Sequence, residues 1–167
     1  MNIRPLDVLE NTAELRALVR AYLDHEIRQL RAISGMDLDT DELVANTFDH
    51  IEAYLPPEGA LHLALGEEDR MIGCVFLKMI GADACEIKRL YVTPDARGSG
   101  LGRALMESIL TEAQRLGAKR VLLDTGVYDK AAQALYRKLG FREIDYYPEG
   151  ENDPEMRPYL VYMELVF

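Results

Sequence analysis

The chain has 167 residues, 49% hydrophobic and 29% charged, a mixture that builds a packed core and excludes a disordered or low-complexity protein. Its 29 acidic against 19 basic residues leave a formal charge of −10, which argues against a nucleic-acid partner, whose affinity rests on cations meeting phosphates. The two cysteines, Cys74 and Cys85, are too few for a disulfide framework and lack metal-site spacing. A reduced, cytoplasmic protein is expected, because the opening "MNIRPLDVLE" shows no secretory core and no apolar run matches a membrane span.

In chain order, "NIRPL" reads as a short strand closed by proline. Leu15, Leu18, Val19, Tyr22, Ile27 and Leu30 then recur at helical spacing between Ala13 and Leu30. Asp39 with Glu42 three residues on announces a second helix through a capping-box-like start. Leu43, Val44, Phe48, Ile51 and Leu55 form its apolar face, and Pro56-Pro57 stops it. "ALHLAL" and "MIGCVFLKMI" are strands around the polar turn "GEEDR", and "GAD" leads into the strand "ACEIKRLYVTP". A third helix carries Leu105, Met106, Ile109, Ala113 and Leu116 and ends at Gly117. "RVLLDT" is wholly apolar at its centre, as a buried parallel strand would be. "DKAAQALYRKLGF" is a helix ending at Gly140, and "REIDYYP" and "YLVYMELVF" are the last strands. One domain over residues 1–167 is expected, of α/β (mixed α+β) class, with a mixed sheet and helices on its faces.

"RGSGLGRALMESIL" places Gly98, Gly100 and Gly102 just where the third helix begins. A helix N-terminus offers unpaired N–H groups and partial positive charge, so a bare backbone there can cradle a phosphate. Close strand-to-helix packing would account for the glycines equally well. A P-loop requires Lys then Ser or Thr after the last glycine, but Arg103 and Ala104 follow Gly102. A dinucleotide fingerprint requires glycine at position 103, which is arginine. A nucleotide-binding module is therefore disfavoured.

With an arginine in front, the loop resembles the pyrophosphate signature Arg/Gln-x-x-Gly-x-Gly/Ala of the GNAT family of N-acetyltransferases, matched by Arg97-Gly98-Ser99-Gly100-Leu101-Gly102. "CEIKRLYVTPDARGSGLGRALM" is similar to that family's fourth strand and third helix, and "AAQALYRKLGF" to its next helix. The resemblance covers Cys85 to Phe141; the first 80 residues match in expected architecture rather than in motif. It implies a central twisted sheet of about seven strands flanked by about four helices. It also implies acetyl-CoA as cosubstrate, with no metal, lying between two splayed parallel strands near Glu86–Thr93 and Arg120–Thr125. Backbone groups at Leu90, Tyr91 and Val92 would pair with the pantetheine arm, and Arg97 to Arg103 would hold the pyrophosphate.

Direct amine attack on a thioester calls for a base and an acid. The resemblance assigns the acid to Tyr136, whose phenol (pKa about 10) stays protonated at neutral pH. Periodicity alone would make it a core tyrosine, since Ala132, Tyr136 and Leu139 share a face. Glu86 matches the strand position where some family members carry a catalytic glutamate; otherwise it is a partner for Lys88 or Arg89. Asp129 departs from the asparagine many relatives carry. His25, His50 and His62 are scattered and suggest no metal site, and cysteines in apolar strands make poor nucleophiles. Glu149, Glu151, Asp153 and Glu155, beside Tyr146 and Tyr147, could attract a cationic amine or be only a solvated loop. The expected partners are thus acetyl-CoA and an amine-bearing acceptor, with neither nucleic acid nor membrane, and a homodimer is compatible. A non-catalytic acyl-CoA-binding or regulatory domain is the alternative, disfavoured by the joint presence of Tyr136 and Glu86.

Overall fold

The computed structural model describes residues 2–9, 11–150 and 154–167. Strand β1 (Asn2–Pro5) precedes helices α1 (Thr12–Ser34) and α2 (Thr40–Asp49). Strands β2 (Gly59–Leu65), β3 (Met71–Met79) and β4 (Ala84–Val92) follow, then α3 (Leu101–Arg115), β5 (Arg120–Gly126) and α4 (Lys130–Lys138). Strands β6 (Arg142–Ile144) and β7 (Leu160–Val166) close the chain. The element order and the sequence-derived strands and helices agree. The seven strands form one sheet in the order β1-β2-β3-β4-β5-β7-β6, antiparallel throughout except for β4 against β5.

Local chemistry accounts for the helix limits. The Asp39 carboxylate accepts from the N–H groups of Asp41 at 2.8 Å and Glu42 at 3.3 Å, the expected cap. Gly35, in the left-handed region at φ 73°, ends α1 by donating to the Arg31 carbonyl. The helix stops at Asp49 rather than running to Leu55; a single 3-10 turn, Ile51–Tyr54, continues the chain. Ile51 and Tyr54 remain buried because a spacing of three suits either helix type. The expected strand 142–148 is shorter than read, because Tyr147 leaves the ladder and turns its ring into the interior.

Two cores sandwich the sheet. On one face Leu101, Leu105, Met106, Ile109 and Ala113 of α3 and Tyr136 of α4 pack on Val75, Leu77, Cys85, Ile87 and Val121. On the other, Leu15, Leu18 and Val19 of α1 and Val44 and Phe48 of α2 pack on Leu61, Leu63, Cys74, Phe76 and Tyr91. A small third cluster joins Leu122, Tyr147 and Tyr162. Among the described residues no helix is long and apolar enough to cross a membrane.

Candidate active site

The site begins with a fault in β4. Against β3, Tyr91 faces Cys74 and Lys88 faces Phe76, so Arg89 and Leu90 together oppose Val75 and form a bulge. Arg89 adopts φ 53°, costly for a side chain with a Cβ, and its guanidinium is pinned by Thr47 Oγ1 at 2.8 Å and Tyr54 Oη at 3.3 Å. The bulge flips the strand's alternation: Cys85 and Ile87 face α3, and so do Leu90 and Val92. β4 and β5 have already parted company before the bulge. Their pairing covers only Ala84 to Glu86 against Arg120 to Leu122. From Ile87 onward the edge of β4 that faces β5 has no strand on it, which leaves backbone groups open to an extended ligand.

One cavity of about 410 Å³ opens at this splay. It is lined by Leu90, Tyr91, Val92, Arg97, Gly98, Gly100, Leu101, Gly102 and Arg103, so every residue expected to hold the coenzyme is there except Ser99. The Ser99 hydroxyl instead donates to the Ala96 carbonyl at 2.7 Å. Gly98 and Gly100 lie at φ 77° and 83°, and a Cβ at either would meet nothing within 4 Å. The bend itself therefore demands glycine, and the cradle above it is open. Gly100 is the N-cap of α3 and contributes no capping side chain, so the first N–H groups of the helix point into the loop unclaimed by a cap. These features fit a pyrophosphate.

A second cavity of about 460 Å³ adjoins the first, sharing Tyr22, Glu26, Leu90 and Asp129 with it. Tyr136 lines it, and burial together with the charges of Asp129, Glu26 and Asp124 raises its phenol above the ordinary tyrosine value. Glu26, which the sequence reading did not single out, projects from α1 onto both cavities. Its Oε2 accepts from the Tyr128 hydroxyl at 2.8 Å, and no lysine or arginine among the described residues forms an ion pair with it. Burial raises its pKa to about 7, against the lowering influence of the Tyr128 hydrogen bond. Tyr128 is itself fixed by its neighbours. Any Cβ at Gly126 would run into the Tyr128 ring, and the buried Gln133 amide donates to the Gly126 carbonyl at 3.0 Å. The Asp129 carboxylate accepts from the Ala132 N–H at 3.0 Å as the N-cap of α4.

Glu86 does not line either cavity. It is wholly buried, and its Oε1 accepts from the Tyr147 hydroxyl at 2.8 Å and from Lys88 Nζ at 3.0 Å. Lys78 Nζ stands 3.6 Å from Oε2. Lys88 also reaches Asp124 at 2.9 Å. Burial opposes its charge, but the Asp124 and Glu86 carboxylates outweigh burial and hold the ammonium above the ordinary lysine value. Alternation along the strand points Glu86 away from Cys85 and Ile87, into a closed ion-pair network rather than toward a substrate.

Of the expected acidic wall, Glu149 and Glu155 are exposed. Glu151 and Asp153 lie outside the described residues. Tyr147 is buried against Glu86, and Arg157 already covers the Tyr146 ring at 3.9 Å. Glu155 does line the larger cavity. Both cysteine thiols are buried, which pushes each up to about 12 and disfavours a thiolate. Among the described residues no group of three or more His, Cys, Asp or Glu could hold a metal.

A seven-stranded sheet with one splayed parallel pair, a glycine-bent helix start in the splay and a second cavity beside it are the architecture of an acyl-CoA N-acyltransferase. The comparisons with known proteins agree. The profile of the Acetyltransferase (GNAT) family matches residues 16–141, and the chain belongs to that family and is an N-acetyltransferase. An uncharacterized N-acetyltransferase of Schizosaccharomyces pombe is 30% identical over 166 residues, covering 99% of this chain and 94% of its own. The ribosomal protein bS18-alanine N-acetyltransferase of Salmonella typhimurium is 33% identical over 56% of this chain and 66% of its own. Among solved structures, the PaiA N-acetyltransferase of Thermoplasma acidophilum in complex with coenzyme A superposes with a TM-score of 0.72 at 17% identity, covering 100% of both chains.

Proposed function

We propose that residues 1–167 act as one catalytic domain that transfers the acetyl group of acetyl-CoA to a primary amine by direct attack in a ternary complex. The observation that carries this reading is the meeting of the two cavities at Glu26 and Leu90, with Tyr136 on the wall of the larger one. The loop of Arg97 to Arg103 would hold the pyrophosphate, and the open edge of β4 at Leu90 to Val92 the pantetheine arm. When bound, the cosubstrate supplies a thioester carbonyl as electrophile. The chain's own groups then move the protons. Glu26 takes a proton from the incoming ammonium, the free amine attacks the carbonyl carbon, and as the C–S bond breaks the Tyr136 hydroxyl gives its proton to the departing sulfur and recovers one from the nitrogen that has become the amide. A backbone N–H on the unpaired edge of β4 would support the carbonyl oxygen as it gains charge.

Glu26 replaces Glu86 in this assignment. Glu86 is closed off by Tyr147 and two lysines, and its role is to hold Lys88 and, through it, Asp124 at the cavity wall. Free-thiol release from acetyl-CoA in the presence of an amine panel tests the reaction. Tyr136→Phe tests the acid: kcat should drop by about 10²-fold or more while CoA affinity, measured by calorimetry, stays the same. Wild-type kcat in that variant would return Tyr136 to a packing role beside Phe141, whose ring centroid lies 5.8 Å away.

A further inference from the structure

The larger cavity is lined by two unlike sets of side chains. Glu26, Tyr128, Asp124, Asp129 and Lys88 make one set polar. The other is apolar and comes mainly from the first two helices and the segment joining them, with Ile87, Leu90, Met156 and Leu160 supplying the rest. We propose that the acceptor is a small primary amine on an apolar body, its nitrogen at Glu26 and its body among Leu23, Ile27, Leu30, Met36, Leu38 and Leu43. This inference rests on the acetyl-transfer reading and narrows it.

Three observations support it. First, part of the apolar wall is buried outside the three clusters. Ile27 and Leu30 are 7% and 3% exposed, yet among the described residues neither belongs to any of the three hydrophobic clusters. Both side chains are buried outside those clusters, and both line the cavity. Second, the charges near the splay are already committed, with Glu26 the exception. Asp124 pairs with Lys88, Asp129 caps α4, and the Arg89 guanidinium is held by Thr47 and Tyr54. Among the described residues the Glu26 side chain has only the neutral Tyr128 hydroxyl as a hydrogen-bond partner, so a cationic nitrogen is the partner it lacks. Third, a volume of about 460 Å³ falls in the range of small-molecule pockets, and one wall of such pockets is commonly apolar with a few convergent polar groups.

The acceptor class is read from kcat/KM for thiol release across a series from ethylamine to hexylamine, beside phenethylamine, spermidine and a short peptide with a free N-terminus. Each added methylene should raise kcat/KM about fourfold until the cavity is full, as expected for burying one methylene. Phenethylamine should rank with the long alkylamines, and spermidine and the peptide well below. Leu38 and Leu43 are half-buried, so Leu38→Asn and Leu43→Asn should fold, with thermal melting as the check. Each should flatten the dependence on chain length. A flat series in the wild type, or a preference for spermidine or the peptide, would overturn the acceptor class while leaving acetyl transfer standing. No thiol release with any amine, at acetyl-CoA concentrations where calorimetry records binding, would overturn acetyl transfer and this inference together.

Discussion

Replacing Glu26 by glutamine should lower kcat/KM for the amine by about 10²-fold or more, because a positioned base contributes roughly 10²–10⁴-fold. The pH profile identifies the cause. A base must be deprotonated to work, so wild-type kcat/KM should climb as pH rises through about 7, the value to which burial lifts Glu26. In Glu26→Gln that rise should vanish, leaving only the dependence set by the amine's own ionisation. Stability should move in the opposite direction from activity. The folded carboxyl holds its proton up to about 7, whereas the unfolded one releases it near 4.5. The unfolded state therefore binds fewer protons between those values, and stability falls as pH rises across that window, then levels off. Glutamine removes the cost. Glu26→Gln should be more stable than wild type at pH 8 by about 1–3 kcal/mol, after discounting for partial exposure, and no more stable at pH 4. Urea denaturation at the two pH values measures this. A variant with wild-type kcat/KM and an intact rise near pH 7 would remove Glu26 from the chemistry.

The signal for Glu26 was present in the sequence. It stands four residues after Tyr22 and four before Leu30, in the middle of an apolar helical stripe. A carboxylate in that place must be paired, neutral or functional. Helical spacing selected the stripe correctly but could not say what it faces. Leu15, Leu18 and Val19 enter a core, while Ile27 and Leu30 line a cavity and Tyr22 does both. Periodicity reports removal from water, and both surroundings achieve that. The coenzyme loop was far more legible, because its requirements are local. Two left-handed turns and a helix start are encoded within a few adjacent residues.

What stayed hidden depends on partners distant in sequence. Alternation could place Glu86 on a face of β4, but not the Tyr147 hydroxyl that closes over it from 61 residues away. The bulge at Arg89 has no local mark at all, since a non-glycine residue at positive φ is disfavoured wherever it stands. It is held there from outside, by Thr47 and Tyr54 on the far side of the sheet. The bulge that turns Leu90 and Val92 toward α3 thus depends on a strain that only the assembled fold can sustain.

Gly100→Asp should weaken CoA binding by about 10³-fold while the protein stays folded. Gly100 sits at φ 83° with nothing within 4 Å of where a Cβ would lie, so no clash follows from the substitution. Aspartate tolerates the left-handed region better than most residues, and at an N-cap its carboxylate can accept from the first N–H groups of α3. The helix start gains a cap, and the melting temperature should change by only a few degrees. The same carboxylate then occupies the cradle proposed for the pyrophosphate. A like charge at about 4 Å costs about 4 kcal/mol at an effective dielectric near 20, which is the thousandfold loss expected. Gly100→Ala separates the contributions, since it adds the strained Cβ without the charge and should cost much less. S-acetylpantetheine, which lacks the pyrophosphate, should react with wild type and Gly100→Asp at nearly equal rates. Calorimetry that records unchanged CoA affinity in folded Gly100→Asp would remove the loop from coenzyme binding. An equal loss for S-acetylpantetheine would assign the defect to the splay beneath the loop rather than to charge at the helix start.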